Sequence, residues 1–214
     1  MSRFFLGLDL GQAQDPTALA IAERLETLEG RTAGYHVRYL ERVSLGTSYT
    51  SIATHVRDLL GRDPLRDHGY LVVDATGVGA PVVDLLRREG LSPVAVTITG
   101  GDTVTRDGTA YRVPKRDLVS RLQVLLQSGR LKIADAIPDA RLLVEELLAF
   151  RVKITVTAHD TYEPWRERAH DDLVLAVALA CWYGETYVAP ACASVRSPLS
   201  PFSRSRDRWD RSPY

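Results

Sequence analysis

A period-two pattern opens the chain, with a single aspartate inside an otherwise apolar run. In "FFLGLDLG", Leu6, Leu8 and Leu10 alternate with Phe5, Gly7 and Asp9, which predicts a strand over Arg3–Leu10 buried on at least one face. Gly11–Pro16 reads as a turn and Thr17–Arg24 as a second strand. Gly30 and Gly34 bracket a turn into a third strand, Tyr35–Ser44, where His36, Arg38 and Glu41 interleave with apolar neighbours.

The period then changes. Ile52, Val56, Leu59 and Leu60 share one helical face, and Ser48 or Thr50 can cap a helix that runs to Leu60. "GYLVVDATGVG" predicts a short buried strand, Tyr70–Val73, ending at Asp74 before a glycine turn. Pro81 suits the start of the following helix, which ends near Gly90. Pro93–Ile98 is a further strand, and "TGGDTVTRDGTAYRV" reads as a protruding β-ribbon turning at Asp107-Gly108. Helices are expected over Pro114–Ser128, Pro138–Phe150 and His170–Tyr183, with a strand at Val152–Thr157. Three strands followed by strands alternating with helices predict a mixed α/β sheet flanked by helices. The opening hairpins should be antiparallel, and the later strands should join by crossovers.

The 214 residues suffice for one sizeable domain. Residues 1–188 are expected to form it, and the Pro/Ser/Arg-rich 189–214 a disordered tail. No apolar run reaches the roughly 18 residues of a membrane span, and the N-terminus lacks a signal-peptide layout. Cys181 and Cys192 have no metal or disulfide spacing, so a reducing cytoplasm is the expected setting. With 27 basic and 27 acidic residues, net charge gives no signal for nucleic acid, and local clusters must carry any such claim. The tail holds five arginines against two aspartates.

Acidic positions are the candidate chemistry. Asp9 interrupts an apolar strand, Asp74 closes another, and Asp171-Asp172 opens the last helix in "HDDLVLAVALACW". Strand-end acids before a glycine turn lie at the carboxyl edge of the sheet, where open α/β folds place ligands. Each has a plain alternative. Asp9 can be a hydrogen-bonded turn residue, Asp74 a helix cap, and the Asp171-Asp172 pair first-turn acids favoured by the helix dipole. Converging carboxylates repel one another. A hard divalent cation, Mg²⁺ or Mn²⁺, relieves that repulsion, and two such ions serve phosphodiester displacement.

"GLDLGQAQDPTALAIAE", "LVVDATGVGAPVVDLLR", "VPKRDLVSRLQVLLQSGRLKI" and "HDDLVLAVALA" occur in the order and spacing of a phage terminase large-subunit nuclease domain. The chain resembles that family over residues 4–185. The resemblance implies an RNase H-like fold, shared with Holliday-junction resolvases and retroviral integrases. It also implies a metal-dependent endonuclease that cuts double-stranded DNA during genome packaging in the host cytoplasm. On that resemblance Asp9 bridges two metals, Asp74 is the second acid and Asp172 the third. Asp171 lies beside Asp172 or on the second ion. Asp15 matches a recurrent turn acid of the family and reads equally as a β-turn residue before Pro16.

The chain departs from the family in two places. No G-x-x-x-x-G-K-[ST] is found, so the ATPase motor is expected on another chain or domain, with a portal or small terminase subunit as further partners. Where the family often has glycine before the last helix, this chain has "PWRERAHDD", with Arg166 and Arg168 near the acids. For DNA phosphates the best stretch is "TRDGTAYRVPKRD", with Arg106, Arg112, Lys115 and Arg116; its alternative is a solvated hairpin. His159 and His170 flank the acids, and His170 reads best as a helix-cap residue.

Rival readings remain. "GLDLG" also opens actin-type and sugar-kinase ATPases, but these need two such domains and continue with Thr or Ser instead of Gln12-Ala13. A junction resolvase shares fold and acids. A non-catalytic DNA- or portal-binding module would have no need of the acids.

Overall fold

The computed structural model describes residues 2–11, 15–26, 32–77, 79–156 and 171–188. Its strands are β1 (Arg3–Asp9), β2 (Thr17–Glu26), β3 (Ala33–Val43), β4 (Gly69–Asp74), β5 (Val94–Thr99), β6 (Thr105–Asp107), β7 (Ala110–Pro114) and β8 (Leu131–Ile133). The helices are α1 (Tyr49–Leu60), α2 (Gly79–Arg88), α3 (Lys115–Gln127), α4 (Ala140–Val156) and α5 (Asp172–Val188). The strands form one sheet in the order β6-β7-β5-β4-β1-β2-β3-β8. β1, β2 and β3 pair antiparallel, whereas β4 joins β1 and β5 joins β4 in parallel. This is the mixed sheet that the order of elements predicts.

The alternation in β1 assigns its two faces. Leu6, Leu8 and Leu10 pack with Ile52, Val56 and Leu59 of α1 and Val82 and Leu86 of α2. Phe5 packs on the opposite face with α5, joined by Leu118, Leu122 and Leu125 of α3 and Leu143 of α4. From Leu173 to Cys181 almost every side chain of α5 is buried, so this helix is apolar all round instead of amphipathic. Its approach is close because β1 has no side chain at Gly7, where a Cβ would stand 1.9 Å from the Ala176 carbonyl oxygen. Among the described residues no helix is long and apolar enough to cross a membrane.

Local chemistry sets several boundaries. Ser48, not Thr50, caps α1, accepting from the Ser51 N–H at 3.1 Å. The β6–β7 turn falls at Asp107-Gly108, where Gly108 adopts a φ of +58° that side-chain-bearing residues avoid. That ribbon does not protrude, however. β7 pairs in parallel with β5 and extends the sheet, because Tyr111 and Val113 are buried on the α5 face.

Two further expectations change. The segment read as a strand at Val152–Thr157 is helical to Val156, continuing α4. Its β-branched alternation is too short to decide between periods, and extending an existing helix adds a hydrogen bond for each residue fixed. β8 was not anticipated; its three residues pair in parallel with Tyr35–Val37. Residues 189–214 lie outside the described residues.

Candidate functional site

A cross-strand row assembles the site. Asp9 on β1 pairs with Ala18 on β2, and Ala18 pairs with Arg42 on β3. Leu8 lies opposite Val73 in the parallel β1–β4 pair, so Asp9 and Asp74 end adjacent strands at one level. Strand alternation turns this row toward the face covered by α5. The small Ala18, fully buried, separates Asp9 from Arg42. α5 begins above the same edge: the Asp171 carbonyl accepts from the Leu175 N–H at 2.9 Å, and Asp172 is the first helical residue.

The acids bear on one another electrostatically. The Asp9 carboxyl is held well above the ordinary aspartate range, first by burial and then by the negative charges of Asp74, Asp172, Asp171 and Asp15. Asp9 as a residue is half-buried at the strand end, and the atoms packed around its carboxyl supply the desolvation. Asp74 Oδ1 accepts from the Thr76 N–H at 2.8 Å and from the Thr76 hydroxyl. The same hydroxyl oxygen accepts from the Ile98 N–H at 2.8 Å, which ties the turn to β5. Asp74 therefore shapes its own turn, ahead of α2, which starts at Gly79.

Asp172 meets a cation. Arg42 Nη2 lies 3.3 Å from Asp172 Oδ2 and also donates to Glu146 Oε1. Glu146 Oε2 accepts from the Leu173 and Val174 N–H groups at 3.1 and 3.2 Å. Burial pushes Glu146 up to about 7; Arg42 and the Val174 N–H oppose this, Asp172 adds to it, and the Leu173 N–H opposes it. No motif in the sequence singles out Arg42 or Glu146 as a site residue. The signal for Glu146 was present: it sits three residues after the buried Leu143, on the apolar stripe of its helix.

An all-oxygen, mutually repelling donor set suits a hard divalent cation, and the raised Asp9 carboxyl is a member whose charge calls for one. Among the described residues no group of three His, Cys, Asp or Glu side chains stands close enough to hold one ion as placed. Asp74 is turned to Thr76 and Asp172 to Arg42. The donor chemistry fits, while the side chains face their protein partners.

The basic candidates divide. Lys115 and Arg116 begin α3 directly after β7, which runs parallel to β5, so they lie at the carboxyl edge shared with Asp9 and Asp74. Arg116 forms an exposed ion pair with Asp102 at 2.8 Å. Arg106 lies with its guanidinium 5.2 Å from the centre of the Tyr111 ring and donates to the Gly108 carbonyl. Arg112 sits between the buried Tyr111 and Val113, so it projects from the opposite face. Arg166, Arg168, His159 and His170 lie outside the described residues.

No protein-family model matches the chain. It is 25% identical over 177 residues, 83% of its length, to a terminase large subunit of Thermus phage G20c. It is 23% identical over 184 residues to a terminase large subunit of Thermus virus P23-45. The chain spans about a third of the length of these curated relatives. Its fold is similar to the large terminase nuclease of the thermophilic phage G20c, with TM-score 0.53, 20% identity, and 84% of this chain and 81% of that one covered. The terminase nuclease domain of human cytomegalovirus, Mn soaked, aligns with TM-score 0.50 and 16% identity, covering 92% of this chain and 87% of that one. The fold is thus that of a terminase nuclease domain, an RNase H-like sheet.

Proposed function

From this likeness to terminase nuclease domains we infer that the chain is a divalent-metal-dependent endonuclease that hydrolyses double-stranded DNA during viral genome packaging. The observation that carries the reading is the buried Asp9 carboxyl, facing the charges of Asp74, Asp172 and Asp171 at one sheet edge. Asp9, Asp74 and Asp172 would hold Mg²⁺ or Mn²⁺, with Asp171 beside them or on a second ion. Such ions, when bound, activate water and neutralise charge on the scissile phosphate.

The chain's own groups do the rest. Lys115, at the N-terminus of α3, offers an ammonium and the helix dipole to a phosphate. Arg116 can exchange its exposed partner Asp102 for a phosphate at little cost, since such surface pairs are worth less than about 1 kcal/mol. Arg106 lies on the same ribbon. The ATPase motor, portal and small terminase subunit are the partners this reading implies.

Plasmid nicking with Mg²⁺ or Mn²⁺ tests it, comparing the wild type with Asp9→Asn and Asp74→Asn. Cutting by the wild type and its loss in both variants is expected. A wild type inert with every divalent metal, or variants that cut equally well, would overturn the proposal. A four-way junction cut far better than linear duplex would reassign the substrate.

A further inference from the structure

We propose that Glu146, acting with Arg42, is a positioning residue that fixes Asp172 over the Asp9–Asp74 edge. The inference rests on the metal-nuclease reading above and adds residues that reading does not use.

A helix leaves its first N–H groups without partners inside the helix. In α5 the N–H groups of Leu173 and Val174 are taken by a carboxylate from a different helix, Glu146 of α4. Glu146 is 6% exposed, and the positive end of the α5 dipole favours its negative charge. Its other oxygen accepts from Arg42 Nη2, the atom that also lies against Asp172 Oδ2. One carboxylate therefore grips the backbone of the first turn, while the guanidinium it binds grips the side chain of Asp172. Arg42 is itself anchored. Its backbone belongs to the Asp9–Ala18–Arg42 row, and its N–H donates to Asp139 Oδ2 at 3.4 Å just before α4.

This linkage has a consequence for the acids. Asp9 and Asp74 are fixed by the sheet, but Asp172 comes from a helix that could shift along or rotate over it. Glu146 and Arg42 tie that helix end to β3 and α4, so Asp172 keeps its place relative to Asp9. Partners that orient metal-binding side chains in this way are typically worth 10- to 100-fold in metal affinity.

The test measures Mn²⁺ binding by calorimetry and amide exchange by NMR on the full chain, for wild type, Glu146→Gln, Arg42→Lys and Asp9→Asn. Glu146→Gln keeps the size of the side chain and loses the charge; Arg42→Lys keeps the charge and loses the planar fork. We expect each to weaken Mn²⁺ binding by about 10-fold or more. In Glu146→Gln the Leu173 and Val174 amides should exchange faster, while amides from Ala176 to Ala180 stay protected. Nicking by Glu146→Gln should recover at saturating Mn²⁺ more than at low Mn²⁺. If both folded variants bind Mn²⁺ within twofold of wild type while Asp9→Asn does not, the positioning role is wrong and the metal reading stands. If the wild type binds no Mn²⁺, or Asp9→Asn binds it equally well, both fall together. Should Glu146→Gln fail to fold, Arg42→Lys alone decides by the same twofold criterion.

Discussion

Gly7 and Ala176 meet with no side chain between them: a Cβ on Gly7 would stand 1.9 Å from the Ala176 carbonyl oxygen and 3.1 Å from the Ala180 nitrogen. Backbone on both sides leaves nothing flexible to yield. Gly7→Ala should therefore lift α5 from β1, at about 1–3 kcal/mol or more of stability, and carry Asp171 and Asp172 away from Asp9. Urea unfolding measures the loss. Gly101→Ala is the control, since the nearest atom to its Cβ is a side-chain oxygen 3.8 Å away. Equal stability of the two variants would contradict this packing argument.

Asp9 itself should be a liability without metal. Its carboxyl is packed among atoms and faces the charges of Asp74, Asp172 and Asp171. Asp9→Asn removes that repulsion, so in EDTA near neutral pH the variant should be more stable than wild type. Adding Mn²⁺ should raise the melting temperature of wild type and leave Asp9→Asn unmoved. A destabilised Asp9→Asn in EDTA would show that the carboxylate makes net favourable contacts.

Much of this was legible from residue order. The period-two run around Asp9 and the apolar runs before Asp74 and after Asp172 placed three acids on three elements, and those elements do meet at one edge. What lay beyond reach was pairing across long separations. Arg42 lies 130 residues from Asp172 and 104 from Glu146, and only the packing of α4 and α5 beside β3 brings them together. β8 was hidden because three residues hold too few periods to register as a strand. The ribbon looked free because Tyr111 and Val113 give no sign in sequence of which neighbour buries them. Arg112, between those two, was placed with the other basic residues for the same reason.

Glu23 predicts the response to acid. Burial pushes its carboxyl up, but hydrogen bonds from Ser2 and Arg38 and the charges of Arg38 and His36 outweigh that and leave it below the ordinary glutamate value of 4.5. A depressed value means that the stabilisation is complete above 4.5 and is lost as pH falls through the lowered value. Arg38 is about half exposed, so screening limits the contribution to under about 1 kcal/mol. Denaturation of wild type and Glu23→Gln as a function of pH checks it: the wild-type advantage should vanish in strong acid and be constant near neutrality.

Cys181 should be chemically silent. It is fully buried on α5, and burial, reinforced by Glu185 and opposed by Arg130, pushes its thiol up. The thiolate is the reactive form, so labelling requires the helix to open. In a Cys192→Ser background a disulfide reagent should modify native protein at least ~100-fold more slowly than unfolded protein, as opening energies of about 3 kcal/mol or more imply. Comparable rates would mean that α5 opens far more easily than its packing allows.

DNA binding should divide by sheet face. Lys115 and Arg116 lie at the edge that holds Asp9 and Asp74, and Arg106 is on the adjoining ribbon, whereas Arg112 projects from the opposite face. Each phosphate contact removed lowers the slope of log affinity against log salt by about 0.9. In an Asp9→Asn background, chosen to prevent the proposed cutting, Arg106→Gln/Lys115→Gln/Arg116→Gln should weaken duplex binding irrespective of sequence and reduce the slope by roughly 2 to 3. Arg112→Gln should leave the slope unchanged. Fluorescence anisotropy across a salt series reads both. A slope that falls for Arg112→Gln and holds for the triple variant would put the duplex on the α1–α2 face, away from the acids.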